Sequence, residues 1–125
     1  MDRLKHRADF LRCARGTRRV APGITVEAAP TLEKHTKPGT VRVGFTATRK
    51  IGGAVERNRA KRRLRAAAAA LLPLYGKAGH DYVLVARADT LRRPFASLKE
   101  DLAASLEAVH VRLAERNSHR DPSPR

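Results

Sequence analysis

The chain has 125 residues and 42% hydrophobic content, enough for one domain with its own core and too apolar for a wholly disordered tail protein. Lys and Arg number 27 against 12 Asp and Glu, and the resulting +15 repels itself unless a polyanion neutralises it. No stretch approaches the roughly 20 apolar residues of a membrane span, aromatic anchors for a membrane surface are scarce, and a lone Cys13 excludes an internal disulfide or a Cys-x-x-Cys pair.

The opening residues, Met1 to Arg7, are charged with no apolar run behind them, so no secretory signal is expected and a reducing cytoplasm fits. Residues 6–15 read as a short helix ended by Gly16. Ile24, Val26 and Ala28 alternate with Thr25 and Glu27, the pattern of a half-buried strand. From Pro30 to Thr40 no apolar period appears, and Pro38-Gly39 marks a turn in a loop. Val41, Val43, Phe45 and Ala47 alternate with Arg42, Gly44, Thr46 and Thr48, which predicts a second strand with one dry face. A helix follows from about Ala54 to Leu72, stopped by Pro73 and then Gly76.

Tyr82 to Ala86 is a continuous apolar run, expected of a strand buried on both sides. Asp81 and Asp89 flank it, with turn chemistry as their expected role. In the last helix Phe95, Leu98, Leu102, Leu106, Val109 and Leu113 make one core-facing stripe. Either Pro94 is its first residue or Ser97 and Glu100 form a capping box. Residues 117–125 have nothing to bury and are expected to be a disordered basic tail after a domain spanning 1–116. The order predicts a compact α+β layer structure. A crossover joins residues 41–48 to 82–86, right-handed by the general rule if those strands are parallel.

The segment Arg57-Asn58-Arg59-Ala60-Lys61-Arg62-Arg63-Leu64-Arg65 has six basic residues in nine and no acidic one. At about 100° per residue, Ala60, Leu64, Ala67 and Leu71 share a narrow stripe that can pack on the sheet. Arg57, Lys61 and Arg65 follow one edge of it, Arg59 and Arg63 the other, with Asn58 and Arg62 between. Like charges four apart destabilise a helix by a few tenths of a kcal/mol per pair, roughly, which the alanines at 66–70 offset. A polyanion partner fits this helix better than a merely solvated face. Upstream, Arg49-Lys50-Ile51-Gly52-Gly53 either seats a phosphate at the helix start or only turns the chain, and the two are compatible.

Histidines 6, 35, 80, 110 and 119 are scattered without zinc spacing, so no catalytic residue and no metal ligand is expected in the protein. His110 reads as a packing or surface residue and Cys13 as a small core residue. Composition alone admits a structural RNA-binding protein of the ribosome equally well, and a self-sufficient nuclease is a further rival.

Residues 42–65, from Arg42-Val43-Gly44 through Arg49-Lys50 and the glycine turn to Arg57-Asn58-Arg59 and Lys61-Arg62, resemble the signature of the bacterial ribonuclease P protein component. Weaker similarity runs from Leu4-Lys5 and Asp9-Phe10 to Leu98–Leu102. The resemblance implies a two-layer α/β sandwich of about four strands, of the ribosomal protein S5 domain 2-like kind, with a left-handed strand–helix–strand crossover. It also implies a protein subunit that assists a catalytic RNA in Mg²⁺-dependent removal of the 5′-leader from precursor tRNA, with Mg²⁺ bound mainly by the RNA. Arg49, Lys50, Arg57, Asn58, Arg59, Lys61, Arg62, Arg63 and Arg65 would meet the RNA subunit. Phe10, Thr46 and Thr48 would hold the leader, with no membrane involved. Gly53, Ala14 and Glu27 depart from residues common in the family (Asn and two bulky side chains), which favours a backbone-tracking groove over a base-stacking platform.

Overall fold

The computed structural model describes residues 1–120, with side chains through Arg116. In chain order the elements are β1 (Asp2–Arg3), α1 (Arg7–Ala14), β2 (Thr17–Val20), β3 (Ile24–Pro30), β4 (Arg42–Thr46), α2 (Ala54–Tyr75), β5 (His80–Ala86) and α3 (Phe95–Arg120). The strands form one mixed sheet in the order β1-β4-β5-β3-β2. β4 and β5 are parallel neighbours joined through α2, so the expected crossover is present, while β5, β3 and β2 pair antiparallel.

The sheet has five strands rather than about four, because both edges carry a short strand that periodicity does not mark. β1 is only two residues, and β2 reads Thr-Arg-Arg-Val, without an apolar face. β2 forms by pairing with β3 across the Ala21–Gly23 turn, and its arginines suit an edge.

Helices α2 and α3 cover one face of the sheet. Ala60, Leu64, Ala67, Ala68 and Leu72 of α2 meet Leu98, Leu102, Leu106, Val109 and Leu113 of α3 over Ile24, Val26, Val43, Tyr82 and Leu84. Leu71, expected on the dry stripe, is half-buried, and Leu72 takes the core position. Pro73 does not stop α2. The N–H it lacks would have reached the carbonyl of Ala69, an exposed residue, so water can serve that carbonyl and the helix runs on to Gly76. Phe95 is the first residue of α3 and is 39% exposed, outside the core stripe. The carbonyl of Pro94 accepts the first helical bond, from Leu98 N–H at 2.9 Å, so Pro94 caps the helix without being in it. α3 runs on to Arg120, and residues 121–125 of the expected tail lie outside the described residues.

The other face is only partly covered, by α1. Leu4, Phe10 and Cys13 pack on Ala29, Val83 and Val85. The ring of Phe10 lies on Gly44, where a Cβ would stand 2.6 Å from it, so glycine is required there. β3, expected to be half-buried, is therefore buried on both faces from Ile24 to Ala29.

Asp81 is a correction. It lies inside β5, fully buried, and is no turn residue. It pairs with Arg12 of α1 and Arg42 of β4, and Thr31 Oγ1 donates to it at 2.7 Å. Asp9 of α1 completes the set, accepting from Arg42 at 2.9 Å and Arg12 at 3.1 Å. Burial alone would raise the Asp9 carboxyl, but Arg12 and Arg42 hold it below its ordinary value. Its stabilisation is therefore present above the ordinary carboxylate range and lost as pH falls below it. Replacing Asp81 with Ala leaves Arg12 and Arg42 sharing the one carboxylate of Asp9, an excess of buried positive charge, so urea unfolding should show a loss of about 3–5 kcal/mol. A loss below about 1 kcal/mol, the scale of an exposed pair, would contradict this role.

Candidate nucleic-acid interface

α2 begins where β4 ends. The 3-10 turn Arg49–Ile51 lifts the chain off the sheet, and Gly52, at φ +143°, adopts a conformation that side chains rarely allow. Gly53 caps α2, and its N–H donates to Glu56 Oε1 at 2.9 Å. That carboxylate serves the N–H of the cap residue, as a turn into the helix requires.

Beyond Glu56 the small-residue stripe faces inward and the cations turn out. Arg49, Lys50, Asn58, Arg59, Arg62 and Arg65 are exposed, while Arg57 and Lys61 are half-buried at the margins of the stripe. Among the described residues none of these cations pairs with a carboxylate; the ion pairs belong to Arg12, Arg18, Lys37, Arg42 and Arg93. Arg65 instead stands 6.0 Å from the ring of Phe45, which Arg3 also approaches at 5.4 Å.

Arg63 behaves differently from its neighbours. It is half-buried and donates to the carbonyls of Leu91 and Arg93, fastening α2 to the turn before α3. Its guanidinium serves the fold first, which helical phase could not disclose because the acceptors lie 28 and 30 residues away. Phe95, expected in the core stripe, borders a hollow of about 370 Å³ with Arg59, Arg62, Arg63 and Ala66. An exposed ring among arginines suits an unpaired base. Its signal in the sequence was its place at the helix start, one turn before the buried Leu98.

The residues expected on a leader lie across the sheet from α2. Arg42, Gly44 and Thr46 of β4 face α1, as alternation requires, since Val43 and Phe45 belong to the core opposite. Phe10 and Thr46 therefore share a face. Thr48 is exposed but follows the end of β4, so strand alternation no longer sets its direction. Glu27 lies on the same face as Thr25, 9% exposed, with Arg18 Nε at 3.9 Å. Burial raises its carboxyl pKa and Arg18 only partly opposes this. Cys13 is fully buried, its thiol pushed up to about 12 by burial, as fits a core residue. His110 is a packing residue with a partner: Tyr82 Oη lies 2.5 Å from its Nε2, and burial pulls its pKa down to about 4.

An unpaired cationic helix beside a half-open sheet face defines a small nucleic-acid-binding α+β protein. The sequence model of the family described as Ribonuclease P matches residues 1–110. The chain is 48% identical over 110 residues to the ribonuclease P protein component of Paramagnetospirillum magneticum, covering 87% of this chain and 83% of that protein. Its fold matches the ribonuclease P protein of Thermotoga maritima with a TM-score of 0.64 at 26% identity, over 82% of this chain and 92% of that one. It matches that of Staphylococcus aureus with a TM-score of 0.68 at 22% identity, over 86% and 94%, a likeness of fold. The chain belongs to the ribonuclease P protein component family, whose members are the protein subunits of a ribonucleoprotein endoribonuclease and partner its RNA. The ribosomal and self-sufficient nuclease readings are thereby set aside. No helix among the described residues is long and apolar enough to cross a membrane.

The different environments of two adjacent arginines give a direct check. Arg63→Ala should cost about 1.5–3 kcal/mol of stability by removing charged hydrogen bonds, whereas Arg62→Ala should leave thermal unfolding within about 0.5 kcal/mol of the parent. Equal effects of the two substitutions would contradict the assigned geometry.

Proposed function

We propose that the exposed face of α2, with Arg49 and Lys50, docks on the catalytic RNA subunit in the cytoplasm. On this reading the face carrying Phe10 and Thr46, with Thr48 beyond the end of β4, holds the single-stranded 5′-leader of precursor tRNA. The observation that carries the reading is the absence, among the described residues, of any carboxylate partner for the α2 cations. Charges left unpaired inside the protein are free to release counterions from a phosphate backbone.

The protein's share of the reaction is positional and electrostatic. Guanidinium groups neutralise phosphates and hold two oxygens at once, and α1 over the sheet gives the leader a groove to follow. Among the described residues there is no group of three or more His, Cys, Asp or Glu that could hold a metal ion. The reading gives Mg²⁺, which activates water and stabilises a leaving oxygen, to the RNA subunit.

Binding of the chain to the RNA subunit should show a log–log salt slope on the order of −4 to −5 if about five phosphates are neutralised. Replacing Arg57, Arg59 and Arg62 together with Ala should flatten that slope by about 2–3 and weaken binding at low salt. Phe10→Ala should instead reduce the preference for precursor over mature tRNA in the reconstituted enzyme. A salt response unchanged by the triple substitution would refute docking through α2, and intact discrimination in Phe10→Ala would refute the leader assignment.

A further inference from the structure

A second cationic hollow lies away from α2, at the end of the sheet face where α1 begins. It measures about 680 Å³ and is lined by Lys5 and His6 ahead of α1, Lys34, His35 and Lys37 of the loop between β3 and β4, and Arg42 of β4. The acidic residue lining it is Asp2, 3.9 Å from Lys37 Nζ. Those two side chains are 52% and 73% exposed, so their pairing cancels little of the charge.

Arg42 gives the hollow a direction. Its residue is 9% exposed, and two of its three guanidinium nitrogens face carboxylates, one on Asp9 at 2.9 Å and the other on Asp81 at 3.6 Å. The third, Nη1, is buried and has no hydrogen-bond partner among the described residues. Arg42 lines the hollow, so a small shift of its side chain would bring this unpaired charged donor to an acceptor there. No side chain caps α1 at His6, so the first N–H groups of that helix add positive partial charge at the same end.

We infer that this hollow is a phosphate site, and that its ligand is a backbone phosphate of the same RNA strand that crosses Phe10. The inference rests on the leader reading for the strand and on the hollow itself for the phosphate. Lysine ammonium groups and a guanidinium prefer anionic oxygens to any neutral ligand. Arg42 and Gly44 are alternate residues on one face of β4, so the hollow begins about 6.8 Å, one strand repeat, from the glycine beneath the Phe10 ring. A strand lying over Phe10 and leaving towards the start of α1 passes directly over these cations.

The test is amide NMR of the full chain, titrated at fixed ionic strength with inorganic phosphate and, separately, with a single-stranded pentanucleotide. Both ligands should shift the signals of residues 5–7 and 34–37 saturably. The substitution Lys34→Ala with Lys37→Ala, at two exposed positions, should abolish those shifts and flatten the oligonucleotide salt slope by about 1.4, at roughly 0.7 per phosphate contact on a single strand. The Arg57, Arg59 and Arg62 triple substitution should leave the hollow's response intact, which separates this site from α2 docking. Signals unmoved by either ligand would overturn the site. A response to inorganic phosphate with none to the pentanucleotide would overturn the strand assignment.

Discussion

Everything in this fold depends on how α2 meets the sheet. Ala60, Leu64, Ala67 and Ala68 are fully buried, and three of the four are alanines, so the helix lies close on a narrow dry stripe. A narrow stripe leaves most of the circumference to solvent, and the cations occupy it. The buried carboxylates among the described residues do not reach that surface: Asp9 and Asp81 are committed to Arg12 and Arg42, Asp101 to Arg93, and Glu27 lies beside Arg18. Internal pairing is used to fasten α1 and the start of α3, and among the described residues the cations of α2 have no carboxylate partner.

The same economy organises the opposite face. The ion-paired set of Asp9, Arg12, Arg42 and Asp81 clamps α1 over β4 and β5, and Phe10 seals the contact by lying on Gly44. α1 is thereby fixed on this face of the sheet. β4 links the two surfaces: its inward residues Val43 and Phe45 support α2, its outward residues Arg42, Gly44 and Thr46 face the α1 side, and its end leads through Gly52 into the basic helix. The contiguity of these residues in the sequence thus reflects one strand serving both faces.

Much of this was legible in the sequence because it depends on local spacing. The stripe on α2, the alternation in β3 and β4, the buried run in β5 and the phase of Leu98 to Leu113 are properties of neighbouring residues. What escaped depends on partners distant in the chain. Asp81 looked like a turn residue because Arg12, 69 residues away, leaves no local mark. Arg63 looked equivalent to Arg62 until the carbonyls of Leu91 and Arg93 came within reach. β2 lacks an apolar period because its partner, not its own pattern, makes it a strand. The Gly53 to Glu56 link is local as well, but a glycine at the cap has no side chain to complete the usual capping signature.

The buried thiol offers a clean route to the central claim, that the α2 surface is the one that meets the RNA subunit. Cys13 is fully buried with its pKa pushed up to about 12, so a cysteine placed at an exposed position is the reactive one. A cleavage reagent tethered at Asn58→Cys on α2 should cut the bound RNA subunit at a few defined nucleotides, and the same reagent at Glu115→Cys on α3 should cut it weakly or not at all. Strong cutting from position 115 with none from position 58 would place the RNA on a different surface and contradict the account.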